Sequence, residues 1–302
     1  SYQYWAQRLA EYARSEAVRE ELDYWLAVTR DGMAPLPVDY PGGGNTEAST
    51  QGVTVSLTVE ETQALLQEVP AAYGTEINDA LLTALAQALA RWTGSRTVLI
   101  DLEGHGREDI FDDVDLSRTV GWFTTIFPVQ LDLKGAYGPG EALRTVKEQL
   151  RRIPQRGIGY GLLRYLNGDE EIIRQLEALP QPEVSFNYLG QFDQVLDEAS
   201  LFAPARESPG PSRSLRGRRT HLLEVVGSIT EGQLRMEWRY SEQLHRRETI
   251  EHLAEAFLDA LRDIIAHCMS PDAGGYTPSD FPDVELSQEE IEALLTEIGE
   301  SW

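Results

Sequence analysis

RTVLIDLEGHGRED (residues 96–109) joins a β-branched, mostly apolar run to a glutamate and a histidine set between glycines. Thr97 to Leu102 has the composition of a strand buried on both faces, and Glu103 stands where that run ends. A strand of this kind needs helices packed against it, and the clearest helical pattern lies directly upstream. In TEINDALLTALAQALARW (75–92), Ile77, Leu81, Leu85, Leu89 and Trp92 recur at helical spacing, with Thr75 placed to cap the first turn.

Working outward, GWFTTIFPVQLDL (121–133) reads as a second strand, and Pro128 implies that it is an edge or carries a bulge. Helical patterns follow at 139–153 and 169–178, then PEVSFNYLGQF (182–192) returns to strand character. THLLEVVGSITEGQLRMEWRYS (220–241) reads as a hairpin turning at TEGQ, with Leu222, Glu224 and Val226 on one face. A long amphipathic helix covers 246–268. Upstream of the first helix, GVTVSLT (52–58) alternates as a strand, and VEETQALLQEV (59–69) reads as a helix. The first thirty residues place Trp5, Leu9, Tyr12, Leu22, Trp25 and Leu26 as in one helix or a broken pair, ended by the Pro- and Gly-rich DGMAPLPVDYPGGGNTEAST (31–50). The fold class is therefore α/β, a mixed sheet with flanking helices, without the regular alternation or Gly-rich fingerprint of a dinucleotide fold.

Composition narrows the function. With 302 residues the chain can bury a sizeable core in one large domain or two smaller ones. A net charge of −24 repels phosphate backbones and anionic lipid surfaces, which argues against nucleic-acid and membrane partners. No apolar run approaches the roughly 20 residues needed to span a bilayer, and the start has no signal-peptide pattern. A cytoplasmic chain is expected. The single cysteine, Cys268, sits at helical spacing among apolar residues and reads as a core thiol. Arg206, Arg213, Arg216, Arg218 and Arg219 gather in ARESPGPSRSLRGRRT (205–220), either a solvated loop or one that contacts an anion.

EGHGRE (103–108), RTVGWFTTIFPVQL (118–131), RGIGYG (156–161), FNYLGQF (186–192) and YTPSDFP (276–282) resemble the successive core motifs of the epimerization domains of nonribosomal peptide synthetases, in that family's order. The resemblance runs from Ser1 to about Leu286, and SYQYWAQRLAEYA (1–13) is similar to the segment that follows the family's first lobe. It implies two chloramphenicol-acetyltransferase-like lobes meeting at a V-shaped cleft. A peptidyl carrier protein brings an aminoacyl or peptidyl group there on its 4'-phosphopantetheine arm, and the L and D configurations at the α-carbon interconvert. It implies no metal and no cofactor bound by the chain itself. On this resemblance, residues 1–50 are the inter-lobe helical segment and linker, 51–275 the C-terminal lobe, and 276–302 a linker and amphipathic helix.

Inverting an α-carbon requires two acid/base groups on opposite faces, or one acting with water. The enolate-like intermediate needs hydrogen-bond donors at its oxygen. Glu103, at the end of a buried strand, is the candidate for one group, since desolvation raises a carboxyl toward the working pH. The resemblance assigns Glu103 that role and places Asn187 and Tyr188 in the cleft. The Asn187 amide would serve the thioester oxygen, and the Tyr188 hydroxyl would donate to or orient Glu103. His105, Arg107, Trp122, Phe123 and Tyr160 fall in the matched motifs as supporting or cleft residues, and Gly104 and Gly106 would keep the loop small enough for the thioester arm.

One signature of the family, His-His-x-x-x-Asp-Gly on the first lobe, is absent from the five histidines at 105, 221, 245, 252 and 267. His105 and Asp109 share its His-x-x-x-Asp spacing, but Ile110 stands in place of the glycine and no histidine precedes His105. A metal site at Glu103, His105, Glu108 and Asp109 is disfavoured, because close neighbours on one loop cannot supply tetrahedral ligands. The expectation is an incomplete domain whose N-terminal lobe is missing, inactive in isolation. A non-catalytic carrier- or partner-docking lobe and a condensation-type, peptide-bond-forming domain are the alternatives. At the end, Ser287 and Glu290 form a capping box ahead of the stripe Ile291, Leu294, Leu295 and Ile298 on an acidic helix. Such a helix would dock a downstream condensation domain or serve as an ordinary linker.

Overall fold

The structure, a computed structural model, describes residues 1–28, 35–191, 210, 212–284 and 286–299. Helices α1 (Tyr2–Tyr12), α2 (Glu16–Glu20) and α3 (Leu22–Ala27) open the chain, three short pieces rather than one helix or a pair. Then come β1 (Thr50–Ser56), α4 (Val59–Tyr73), α5 (Ile77–Thr93), β2 (Thr97–Gly104), β3 (Thr125–Asp132), α6 (Pro139–Arg151), α7 (Ile158–Gly161), α8 (Glu170–Glu177), β4 (Val184–Gln191), β5 (Leu223–Thr230), β6 (Gln233–Ser241), α9 (Arg247–Cys268) and α10 (Gln288–Gly299).

The strands form one mixed sheet in the order β1-β6-β5-β4-β2-β3, with β4 parallel to both of its neighbours, β2 and β5, and the other pairings antiparallel. Pro128 lies on β3 at the edge, where its missing N–H costs least. Leu223, Val225 and Ile229 turn to the buried side of β5, while Glu224, Val226 and Ser228 face the other way and are half-buried. The buried side is covered by α5, whose Leu81, Leu82, Leu85 and Leu89 are fully enclosed, and by α9, whose Phe257 packs edge-on against Trp238 of β6 at 5.8 Å. Cys268 ends α9 in this core, and burial pushes its thiol up to about 11.

Several local expectations change. Thr75 does not cap α5; its hydroxyl donates to the Val69 carbonyl at 3.2 Å, and the cap is a reciprocal box between Glu76 and Asp79. The Asp79 carboxylate also takes both arms of Arg151, at 2.8 and 3.0 Å, a job the shorter threonine hydroxyl could not do. The Pro- and Gly-rich stretch is strapped down where it is described. Leu36 N–H donates to Glu183 at 2.6 Å, and the Asp39 and Tyr40 amides donate to the Leu244 carbonyl. In the basic loop Arg206 lies outside the described residues. Arg219 is buried and paired with Glu224 at 3.3 Å, so this arginine is neither solvated nor free for an anion.

The tail is tied back to the body. Lys147 of α6, 1% exposed, donates to Asp280 at 2.6 Å and to the Tyr73 carbonyl at 2.8 Å. Ser287 and Glu290 form the expected capping box, Ile291 is buried and Arg144 lies 3.5 Å from Glu292, so the first turns of α10 rest on the body. Leu295 and Ile298 of the stripe have side chains outside the described residues. Burial raises the Asp280 carboxyl, but the Lys147 hydrogen bond and the Thr277 amide outweigh it, and the group is held below the ordinary carboxylate range. Its stabilisation is thus complete above the unfolded-state value and is lost as pH falls through the folded one. Replacing Asp280 with Ala strands a buried ammonium and should lower unfolding stability by about 3–5 kcal/mol in a urea titration at neutral pH, with the gap from wild type narrowing under acid.

Candidate active site

Glu103 closes β2, and Asn187 lies one residue beyond the last parallel pair between β2 and β4, Leu102 with Phe186. Because strand side chains alternate, Leu102 and Phe186 enter the core while Glu103 and Asn187 emerge side by side on the other face. The Asn187 amide donates to Glu103 Oε2 at 2.6 Å. Burial raises the Glu103 carboxyl above its ordinary range, helped by the charge of Glu224, and the charges of His221 and Arg213 oppose the rise.

Glu103, Asn187 and Tyr188 line one cavity of about 470 Å³, together with His105, Glu108, Arg151 and Arg156. Tyr188 follows Asn187 on the opposite side of β4 and packs against the hydrophobic core. Its hydroxyl is pushed up to about 12 by burial. Among the described residues no hydrogen bond joins it to Glu103, so Asn187 holds the place expected for Tyr188.

His105 is exposed and does not support Glu103. Its Nδ1 accepts the Arg107 amide at 3.0 Å and lies 3.4 Å from Glu108. Arg107 turns into its own loop, donating to the carbonyls of Leu116 and Thr119 at 2.6 and 2.9 Å and covering the Phe123 ring at 4.0 Å. Gly106 serves this packing. Gly106 has φ of +65°, and a Cβ there would collide with the Phe123 carbonyl oxygen.

Trp122, Phe123 and Tyr160 line a second cavity of about 540 Å³, and Thr124 borders both cavities. Trp122 is 80% exposed, while Phe123 and Tyr160 are buried. The opening helices build this wall. Tyr2 donates to the Trp122 carbonyl at 2.6 Å and meets the Phe123 ring at 5.0 Å, and Trp25 lies 5.3 Å from Tyr160.

Other groups at and beside the site, some within the quoted motifs and some outside them, also stand out. Glu108 is raised mainly by burial, against the charges of His105 and Arg156. Gln155 and Arg156 hold φ of 43° and 51°, left-handed values uncommon for side-chain-bearing residues, next to the cavity. Asp101 and His221 form a pair at 2.7 Å. Asp101 had a local signal, since it shares a strand face with Glu103; the reach of His221 across 120 residues had none. Among the described residues no three His, Cys, Asp or Glu side chains converge as metal ligands, and no helix is long and apolar enough to cross a membrane.

The Asn187 contact should be readable directly. Changing Asn187 to Ala removes one donor from a carboxylate, an interaction of about 1.5–3 kcal/mol, and should raise the Glu103 titration midpoint by roughly one to two pH units. Carboxyl-labelled glutamate followed by NMR, with the Glu103 signal assigned through Glu103→Gln, measures it.

The condensation domain family model matches residues 1–286. A linear gramicidin synthase of Brevibacillus parabrevis is 51% identical over 294 residues, 97% of this chain and 4% of that protein. Surfactin synthase subunit 1 of Bacillus subtilis (strain 168) is 41% identical over 98% of this chain and 8% of its own length. The chain thus spans a small part of the curated relatives it matches. Among solved structures, the epimerization domain from the third module of tyrocidine synthetase B superposes with a TM-score of 0.82 at 39% identity, covering 89% of this chain and 60% of that one. The X-domain from teicoplanin biosynthesis shares the fold, with a TM-score of 0.61 at 20% identity over 89% of this chain and 59% of that one.

Proposed function

The chain therefore belongs to the condensation-domain family, and we propose that within it this chain forms one wall of an epimerization site. The substrate is an aminoacyl or peptidyl thioester, presented on the 4'-phosphopantetheine arm of a carrier protein and inverted at its α-carbon. The observation that carries this reading is the half-buried Glu103 carboxyl, raised above its ordinary range and held by Asn187 at 2.6 Å on a cavity wall. The 39% identity to an epimerization domain supports it.

The Glu103 carboxylate takes the α-proton, and the C–H electron pair moves into the thioester to leave negative charge on its oxygen. Asn187 gives one of its two N–H groups to Glu103, and the other can donate to that oxygen. A second acid on the opposite face of the carbon returns a proton there. That acid is proposed to come from a lobe bearing the His-His-x-x-x-Asp-Gly stretch, which is not in this sequence. A raised carboxyl suits the work, because proton transfer is most efficient when the group's affinity lies near the working pH. The partners proposed are a peptidyl carrier protein, that lobe, and a downstream condensation domain reached through α10, where Leu294 stays 46% exposed.

The matched family model is described as a condensation domain, so peptide-bond formation is the second reading. One experiment separates them. In the full synthetase, Glu103→Gln should slow deuterium uptake from D₂O at the α-carbon of a carrier-bound thioester by about 10²–10⁴-fold, while peptide-bond formation from a supplied D-aminoacyl thioester continues. Unchanged uptake, or loss of bond formation alone, would overturn the epimerization reading.

A further inference from the structure

On the sheet face that carries Glu103, one row further back, lies a polar pair that the proposed chemistry does not use. Asp101 precedes Glu103 by two residues on β2 and therefore shares its face. His221 comes just before β5, and its Nε2 lies 2.7 Å from Asp101 Oδ2. Strand β4 runs between β2 and β5, and the residue there in register with Asp101 is Ser185. Both side chains are largely enclosed, at 12% and 17% exposed. The histidine is fixed from its backbone too: the Asn45 amide donates to its carbonyl at 2.9 Å, and the next residue, Leu222, donates to the Glu183 carbonyl at 2.8 Å.

We propose that Asp101 and His221 form a positioning pair for Glu103, in which Asp101 fixes the imidazole on the sheet face that carries Glu103 and the imidazole tunes Glu103 as a base, an assignment that rests on the epimerization reading above. The side chain of His221 opposes the upward push of burial on Glu103, and the 2.7 Å contact with Asp101 fixes where that side chain sits. The other charges in play come from each neighbouring element. Glu224 of β5 acts against His221 on Glu103 and Arg213 acts with it, while Arg164 donates to the Tyr165 hydroxyl and acts on Tyr160. Glu224 is itself engaged by Arg219 at 3.3 Å, which leaves His221 as the side chain whose loss Glu103 should feel most.

The sign follows directly. Without the His221 side chain Glu103 holds its proton to higher pH, so the acidic limb of α-proton exchange moves up. His221→Gln should raise the Glu103 midpoint, and with it that limb, by about one pH unit. Asp101→Asn should shift both in the same direction by less, and the double variant should do no more than His221→Gln. Carboxyl-labelled NMR of this chain gives the midpoint, and pH–rate profiles of deuterium uptake in the full synthetase give the limb. If His221→Gln does not fold, as judged by circular dichroism, Asp101→Asn carries the same test. Midpoints within about 0.2 units of wild type in the folded variants would overturn the pairing. A shifted midpoint in a synthetase with no α-proton uptake would retain the electrostatic pair and overturn the epimerization reading instead.

Discussion

The parallel pairing of β2 with β4 at Leu102 and Phe186 is the constraint on which the site depends. A slip of one residue in either strand would turn its own polar group, Glu103 on β2 or Asn187 on β4, into the core and bring Leu102 or Phe186 out, because strand side chains alternate with a period of two. Large buried groups fix that register. Phe127 stands opposite Leu102 on β3, and Val225 and Trp238 continue the same row through β5 and β6. Each such side chain contributes roughly 1.5–3 kcal/mol by burial, so the 2.6 Å contact at the site is placed by hydrophobic packing on the sheet's other face.

A second constraint runs through the loop between β2 and β3. Gly106 admits the Phe123 carbonyl, Arg107 clasps the carbonyls of Leu116 and Thr119, and Trp5 joins Leu116, Phe123 and Ile158 in a small apolar cluster. Arg8 closes the outside, 2.8 Å from Asp113 and over the Phe111 ring at 4.2 Å. The opening helices thus form a wall of the second cavity, which shares Thr124 with the cavity that Glu103 lines. The Asn167 side chain adds a further tie by donating to the Ala13 carbonyl at 2.6 Å.

The strands and long helices were legible because their patterns are local. Alternation marks β5 and β6, the three- and four-residue recurrence of leucines marks α5, and Pro128 announces an edge. Glu103 was legible as the end of an apolar run, and Asn187 through its resemblance to a family motif. What could not be read are pairings between distant residues. Asp79 with Arg151 spans 72 positions, Lys147 with Asp280 spans 133, and His221 with Asp101 spans 120. In each, one partner looks like an ordinary surface charge in its own segment, and only the tertiary fold removes it from water. The same blindness made Arg219 look like part of a basic loop and α10 look detached.

On the open face of the sheet a strongly acidic chain sets three carboxylates within adjacent rows, and it treats them differently. Glu224 has the guanidinium of Arg219, a permanent charge in buried contact. Asp101 has the imidazole of His221 at 2.7 Å. Glu103 has a neutral amide, which can hold a carboxylate in place but contributes no net countercharge. Glu103, partly withdrawn from water and with no cation in hydrogen-bond contact, is raised above its ordinary range mainly by burial. The graded choice of partners, rather than any property of glutamate itself, is what would suit Glu103 to the proton transfer proposed for it.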